Sequence, residues 1–258
     1  MTTLLERFGR LLRPAPPLPD DFWRDCVQAN PLARRLDAAR QARLRALVAQ
    51  FLARKTFSPV RGAVLDDRRC AQIALQACIP VLELGFDWLS GWREVIVYPG
   101  EFKVKRTHED HLTGVVTEDE DVRVGEAWER GPLILSWADV ELDLAQPWDG
   151  FNVVAHEIAH KLDMLDGAAD GVPRLPPGIA RRAWIEAFQR GYDRLAAAVE
   201  RGRRTAIDPY AAESADEYFA VVSELHFSDP ATLKRAEPEV ARLLEAFYGV
   251  SPVFGRRE

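Results

Sequence analysis

The chain has 258 residues, 47% of them hydrophobic, and 34 Lys plus Arg against 40 Asp plus Glu leave a formal charge of −6. This is ordinary globular usage, which excludes a wholly disordered or fibrous chain, and the acidic balance argues against broad electrostatic binding to nucleic acid or anionic membrane. Cys26, Cys70 and Cys78 are odd in number and form no CxxC pair, so neither a disulfide framework nor a thiolate metal site follows; reduced thiols in a cytoplasmic protein are expected.

Residues 1–13 have the pattern of a short basic amphipathic helix, with Leu4, Leu5, Phe8, Leu11 and Leu12 on one side. Two cationic turns bind a membrane weakly, so a docked first helix or a frayed terminus is the reading. Glu6, Arg7 and Arg10 interrupt any signal-peptide core, and no stretch approaches the ~18 apolar residues of a membrane span. A stiff Pro-rich connector follows at 14–20.

From Asp20 to about Leu89 the spacing predicts helices, with Leu32, Leu36, Leu44, Leu47, Val48, Phe51 and Leu52 recurring near helical period and a further helix over 66–84. The interspersed arginines have acidic neighbours and read as a solvated face, not a nucleic-acid face. Around Arg93 the period changes. Short β-branched runs at 94–99, 102–106, 113–117 and 132–137 predict strands, and helices are predicted again over 150–166, 178–201, 210–226 and 230–248. Helices, a few strands, then helices again indicate an α+β fold with a small β-sheet.

The chemistry lies in residues 151–167, which contain His156-Glu157-Ile158-Ala159-His160, an HExxH pattern. Residues four apart on a helix stand ~40° apart around the axis, so both imidazoles can reach one ion, and neutral imidazole suits Zn²⁺. Glu157, beside the first histidine, can reach a water on that ion without being a ligand and is the candidate general base. Val153, Val154, Ile158, Leu162 and Leu165 supply an apolar face, Asn152 or Asp149 a cap, and Gly167 a stop.

A catalytic site needs a third protein ligand. Asp166 stands at the third-ligand position of the extended HExxH motif, but Asp163 replaces the glycine that permits the sharp turn there, and a continuing helix carries Asp166 away. His108 and His111 sit amid charge in a strand connection and read as solvated. In the stretch 208–227, Glu213, Glu217 and Glu224 fall on one helical stripe. Glu217 is flanked by Tyr218, Phe219, Ala220, Val221 and Val222, and a buried carboxylate is costly unless paired or bound to metal, which favours it over Glu213. Glu224 remains a competitor, or a group that orients a histidine.

HEIAHKLDMLDG followed by DPYAAESADEYFAVVSE resembles the Mlc titration factor A family of glucose-regulated zinc metallopeptidases, whose metal site is similar to that of the anthrax lethal factor protease. The strict match covers about 30 residues, and GPLILSWADV with the overall size extends it over most of the chain after Arg93. The resemblance implies a zincin-like core at 91–258; the helical region 1–90, which adds little to the resemblance, is expected to pack on that core as one compact unit. It implies one Zn²⁺ held by His156, His160 and Glu217, Glu157 as base, and Tyr210 stabilising the oxyanion. The strand PLILSW becomes the active-site edge strand, able to pair with an extended peptide.

The resemblance further implies aminopeptidase-type cleavage of peptide substrates and binding of a transcriptional repressor that controls glucose uptake. A carboxylate for the substrate's α-ammonium is then needed, with Glu213, Glu224, Asp163 and Asp166 all open. The rival readings are a non-catalytic protein that sequesters a regulator around a structural zinc, and an endoprotease.

Overall fold

A computed structural model describes residues 15–100 and 131–254. The first part is helical: α1 spans Asp20–Gln28, α2 Pro31–Arg34 and α3 Ala38–Arg54. Asn30 and Asp37 accept hydrogen bonds from the amides of Ala33 and Arg40, satisfying helix-end donors that no carbonyl of the helix can reach. α3 turns Leu44, Leu47, Val48 and Phe51 inward. Its arginines pair outward, Arg40 and Arg43 with Glu83 and Arg45 with Asp20, as a solvated face should.

The helical run expected from Asp20 to Leu89 is broken at Thr56–Pro59, which forms strand β1. Four residues are too few to display an alternation, but the cause is local: Pro59 disfavours helical backbone at Ser58, and Thr56 and Phe57 suit a pleated strand. β1 pairs in parallel with β2 (Glu94–Tyr98), which pairs in parallel with β3 (Leu133–Ser136). Parallel neighbours need a long crossover, and α4 (Asp67–Cys78) lies in the one between β1 and β2. Val95 and Val97 stand opposite Leu133 and Leu135, and all four are fully buried, so one sheet face is core. The strands predicted at 102–106 and 113–117, His108, His111 and the helix at 1–13 lie outside the described residues.

After β3 come α5 (Trp137–Ala145), α6 (Val153–Asp163), α7 (Arg181–Glu200), α8 (Ala215–Ser228), α9 (Pro230–Ala236) and α10 (Pro238–Tyr248). The single helix expected over 230–248 is two, because Pro238 ends α9 at Glu237, whose φ and ψ of −138° and 71° are not helical. Trp184 on α7 stacks on Phe188 at 4.3 Å and meets Phe219 of α8 and Phe247 of α10 edge-on. That aromatic cluster sets the rotation of α8 about its axis, since Phe219 and Tyr218 must face it. Lys161 of α6 donates to the carbonyl of Gly131 (3.0 Å), tying this helix to the approach to β3. Residues from Trp23 to Tyr248 share one apolar core. Among the described residues no helix is long and apolar enough to cross a membrane.

Candidate metal centre

α6 starts at a real cap: Asn152 Oδ1 accepts from the amide of Ala155 (2.8 Å), and its Nδ2 donates to Gln76 of α4 (3.1 Å). Val154, Ile158 and Leu162 are fully buried on one side, which leaves His156 and His160 together on another, ring centroids 4.8 Å apart. Ser214 caps α8, accepting from the amide of Glu217 in its first turn, and the aromatic cluster aims that carboxylate at α6.

Glu217 Oε2 lies 3.2 Å from His156 Nε2 and 3.3 Å from His160 Nε2, and the two Nε2 atoms are 3.1 Å apart. Four ligands at zinc bond lengths of ~2.0–2.1 Å around a tetrahedral ion stand about 3.3 Å from one another. The triangle therefore has the dimensions of one tetrahedral face, and its two imidazoles and one carboxylate are donors that suit zinc. These three residues can hold a metal ion between α6 and α8. Among the described residues no fourth ligand joins the group, and a set of three protein ligands is the number that catalytic zinc sites use.

Glu224, one of the competitors in the sequence, has a different place. Its Oε1 lies 2.7 Å from His156 Nδ1, and its Oε2 accepts from the amide of Asn152 (2.7 Å). With Nδ1–H donating to that carboxylate, loss of the Nε2 proton to a bound cation would leave the Nε2 lone pair directed into the triangle. Burial by itself would lower the pKa of His156, but hydrogen bonds with Glu217 and Glu224 outweigh it and push the imidazole up to about 10. Burial would likewise raise Glu217, and the bonds from His156 and His160 instead hold it well below the usual carboxylate range. The centre is thus built to stabilise positive charge. Glu224→Gln loses one of its two acceptor bonds, because the amide NH₂ cannot accept; metal affinity is expected to fall ~10–100-fold, read by chelator competition, with the fold retained.

The other candidates separate. Glu157 is half-buried beside His156 and outside the ligand triangle. Tyr210 sits in a short 3-10 turn, Pro209–Ala212, pinned by Asp208, and its ring centroid is 6.3 Å from that of His156. Glu213 is exposed and does not share a helix with Glu217, because the Ser214 cap begins α8 after it. Asp166 lies in a 3-10 turn past α6, exposed and 3.8 Å from Arg181.

Asp163 is fully buried, and burial pushes its carboxyl up to about 7. Its Oδ2 accepts from the amide of Gly171 (2.8 Å), whose carbonyl accepts from Trp184 Nε1 (3.0 Å). Gly171 has a φ of +76°, and a Cβ there would come within 2.5 Å of the carbonyl oxygen of Ala215, the first residue of α8. Asp163 and Gly171 therefore set the end of the histidine helix against the start of the glutamate helix, a contact with no periodic trace in the sequence. Gly171→Ala combines a strained φ with overpacking against backbone, and a loss of about 2–4 kcal/mol is expected in a denaturation midpoint.

A cleft of about 390 Å³ adjoins the centre. Tyr210 and Glu224 line it together with Phe151, Ile207, Val221 and Leu225; His156, His160 and Glu217 do not. A larger groove, about 680 Å³, lies between residues 15–20 and α3 and receives no residue of the centre.

The model of the family described as glucose-regulated metallo-peptidase M90 matches residues 6–249. The chain is similar to Mlc titration factor A of Escherichia fergusonii, 37% identical over 238 residues that cover 91% of this chain and 88% of that one. It is also similar to Mlc titration factor A of Salmonella arizonae, 38% identical over 236 residues that cover 90% of this chain and 92% of that one.

Proposed function

The chain belongs to the glucose-regulated metallo-peptidase M90 family, and we propose that it is a zinc-dependent peptidase of aminopeptidase type with a zincin-like core. The observation that carries this reading is the triangle of 3.1, 3.2 and 3.3 Å formed by His156, His160 and Glu217. His156, His160 and Glu217 would hold the metal, and Glu224 accepts the Nδ1 hydrogen bond of His156. When bound, zinc supplies Lewis-acid chemistry, polarising the scissile carbonyl and acidifying water.

Glu157 takes a proton from the attacking water and passes it to the departing amine nitrogen. Tyr210 donates its O–H to the carbonyl oxygen as negative charge grows there. β3, at the end of the described sheet, offers main-chain hydrogen bonds to an extended substrate. The name of the relatives, Mlc titration factor A, supports a further activity in this reading, the binding of a transcriptional repressor. Cys26, Cys70 and Cys78 are free thiols, in keeping with a cytoplasmic setting.

Metal analysis of the purified protein beside hydrolysis of aminoacyl-anilides and N-blocked peptides tests the proposal. About one zinc per chain, with turnover of free-amine substrates abolished by a chelator, is the expected result. Tightly held zinc without turnover of either class would replace it with a regulator-sequestering protein around a structural ion, and preference for blocked peptides with an endoprotease.

A further inference from the structure

We propose that the loop 201–204 and the cleft beside it form a docking surface for an extended segment of a partner protein, one that sets carboxylates next to a large apolar side chain. The inference stands apart from the peptidase reading, since it uses none of the three ligand residues. Arg201, Arg203 and Arg204 are all exposed, in a chain whose formal charge is −6. Among the described residues none of their guanidinium groups has an ion-pair, hydrogen-bond or ring partner, whereas Arg190 and Arg194, on the helix that leads to them, hold Glu239 and Glu237. The backbone that carries them is fixed. The amides of Gly202 and Arg203 donate to the carbonyls of Val199 (2.8 Å) and Ala198 (2.9 Å), and Gly202 takes the left-handed φ of +62° that this close of α7 requires. A turn already formed spares a partner the cost of ordering it.

The turn runs directly into the cleft, whose rim begins at Thr205, the residue after Arg204. Phe151 there is 52% exposed, over the buried side chains of Ile207, Val221 and Leu225, which leaves apolar surface for a partner to take out of water. The Thr205 Oγ1 is buried without a hydrogen-bond partner, a group that the main chain of an incoming segment would satisfy. A volume of about 390 Å³ takes a Leu or Phe side chain. Charge selects the class of partner. The charged residues lining the cleft, among those described, are Asp149, Asp208 and Glu224, so an acidic hollow adjoins a basic rim. A nucleic acid is anionic along its whole length and would be repelled by the hollow. A polypeptide can place an uncharged side chain in the hollow and its neighbouring carboxylates on the rim, where guanidinium donors pair with them two at a time.

Fluorescence anisotropy of short labelled probes on the full chain tests the surface. The probes are a peptide joining Leu-Phe to a run of Asp and Glu, made in both orders, the same peptide with Lys for the acids, the same with Ser-Gly for Leu-Phe, and a single-stranded oligonucleotide. One order of the acidic Leu-Phe peptide is expected to bind at least ~10-fold more tightly than the Lys peptide, and to lose affinity as salt is added. Arg203→Glu with Arg204→Glu, both at exposed positions, should weaken it at least ~10-fold and abolish its salt dependence. Phe151→Ala should weaken it while leaving the salt dependence in place, and the Ser-Gly peptide should be insensitive to that change. Absence of binding by either order, or binding that neither variant alters, overturns the surface. So does an oligonucleotide that binds as tightly as the peptide and is released by the arginine changes alone, which would make the loop a nucleic-acid contact.

Discussion

Glu157→Gln is expected to bind zinc as the unaltered protein does while kcat/KM on aminoacyl-anilides falls by at least ~10²-fold. The two halves of that result have separate causes. Metal retention follows because Glu157 lies outside the triangle formed by His156, His160 and Glu217, and a half-buried, near-isosteric change leaves that triangle alone. Loss of rate follows because an amide cannot take the proton that water must give up. The change also removes a negative charge felt by His156 and Lys161, so any shift in metal affinity should be modest. His156→Ala is the contrasting variant, expected to lose metal and rate together. Metal content by mass spectrometry and anilide kinetics on the same samples separate the two, and full activity in Glu157→Gln would remove it from the mechanism.

The parts of the site that could be read beforehand are those written in local chemistry. His156 and His160 are one turn apart, Asn152 is a capping residue where α6 begins, and the apolar neighbours of Glu217 announce that its turn is buried. A buried carboxylate demands a partner, and the demand is visible even when the partner is not. Glu217 and Glu224 are both buried on the same helix, so their neighbours in the chain do not separate them. Only the rotation of α8, set by Trp184, Phe188 and Phe247, decides which one meets Nε2 and which meets Nδ1.

Elsewhere the periodic pattern failed for reasons of length and distance. β1 has four residues and ends on Pro59, so its identity comes from pairing with β2, almost 40 positions away. Ser214 and Pro238 are single residues that cut runs which look continuous by hydrophobic spacing, and Ser214 is what removes Glu213 from the stripe of Glu217. The junction of Asp163, Gly171 and Ala215 is a matter of packing between segments, where a glycine is needed because a backbone oxygen occupies the space of its Cβ. The cleft beside Tyr210 likewise assembles residues 149–151, 205–210 and 221–225, three stretches that no motif links.

Glu217→Gln is expected to weaken zinc binding by more than the ~10–100-fold assigned to Glu224→Gln, since it alters a ligand atom and not the group that orients one. Thermal unfolding makes this visible without any substrate. A metal held at 100 times its Kd stabilises the folded state by about 2.7 kcal/mol, which for a chain of this size moves the midpoint by roughly 5–10 °C. Zinc should therefore raise the midpoint of the unaltered protein, and a chelator should reverse the rise. At the same zinc concentration Glu217→Gln should show almost none of it, with Glu224→Gln in between. Glu213→Gln and Asp166→Asn change exposed carboxylates away from the triangle, and both should follow the unaltered protein within about 0.5 kcal/mol. A zinc-dependent rise that survives in Glu217→Gln but disappears in Asp166→Asn would move the third ligand back to the end of α6, and with it the open corner on which Glu157 and Tyr210 are supposed to act.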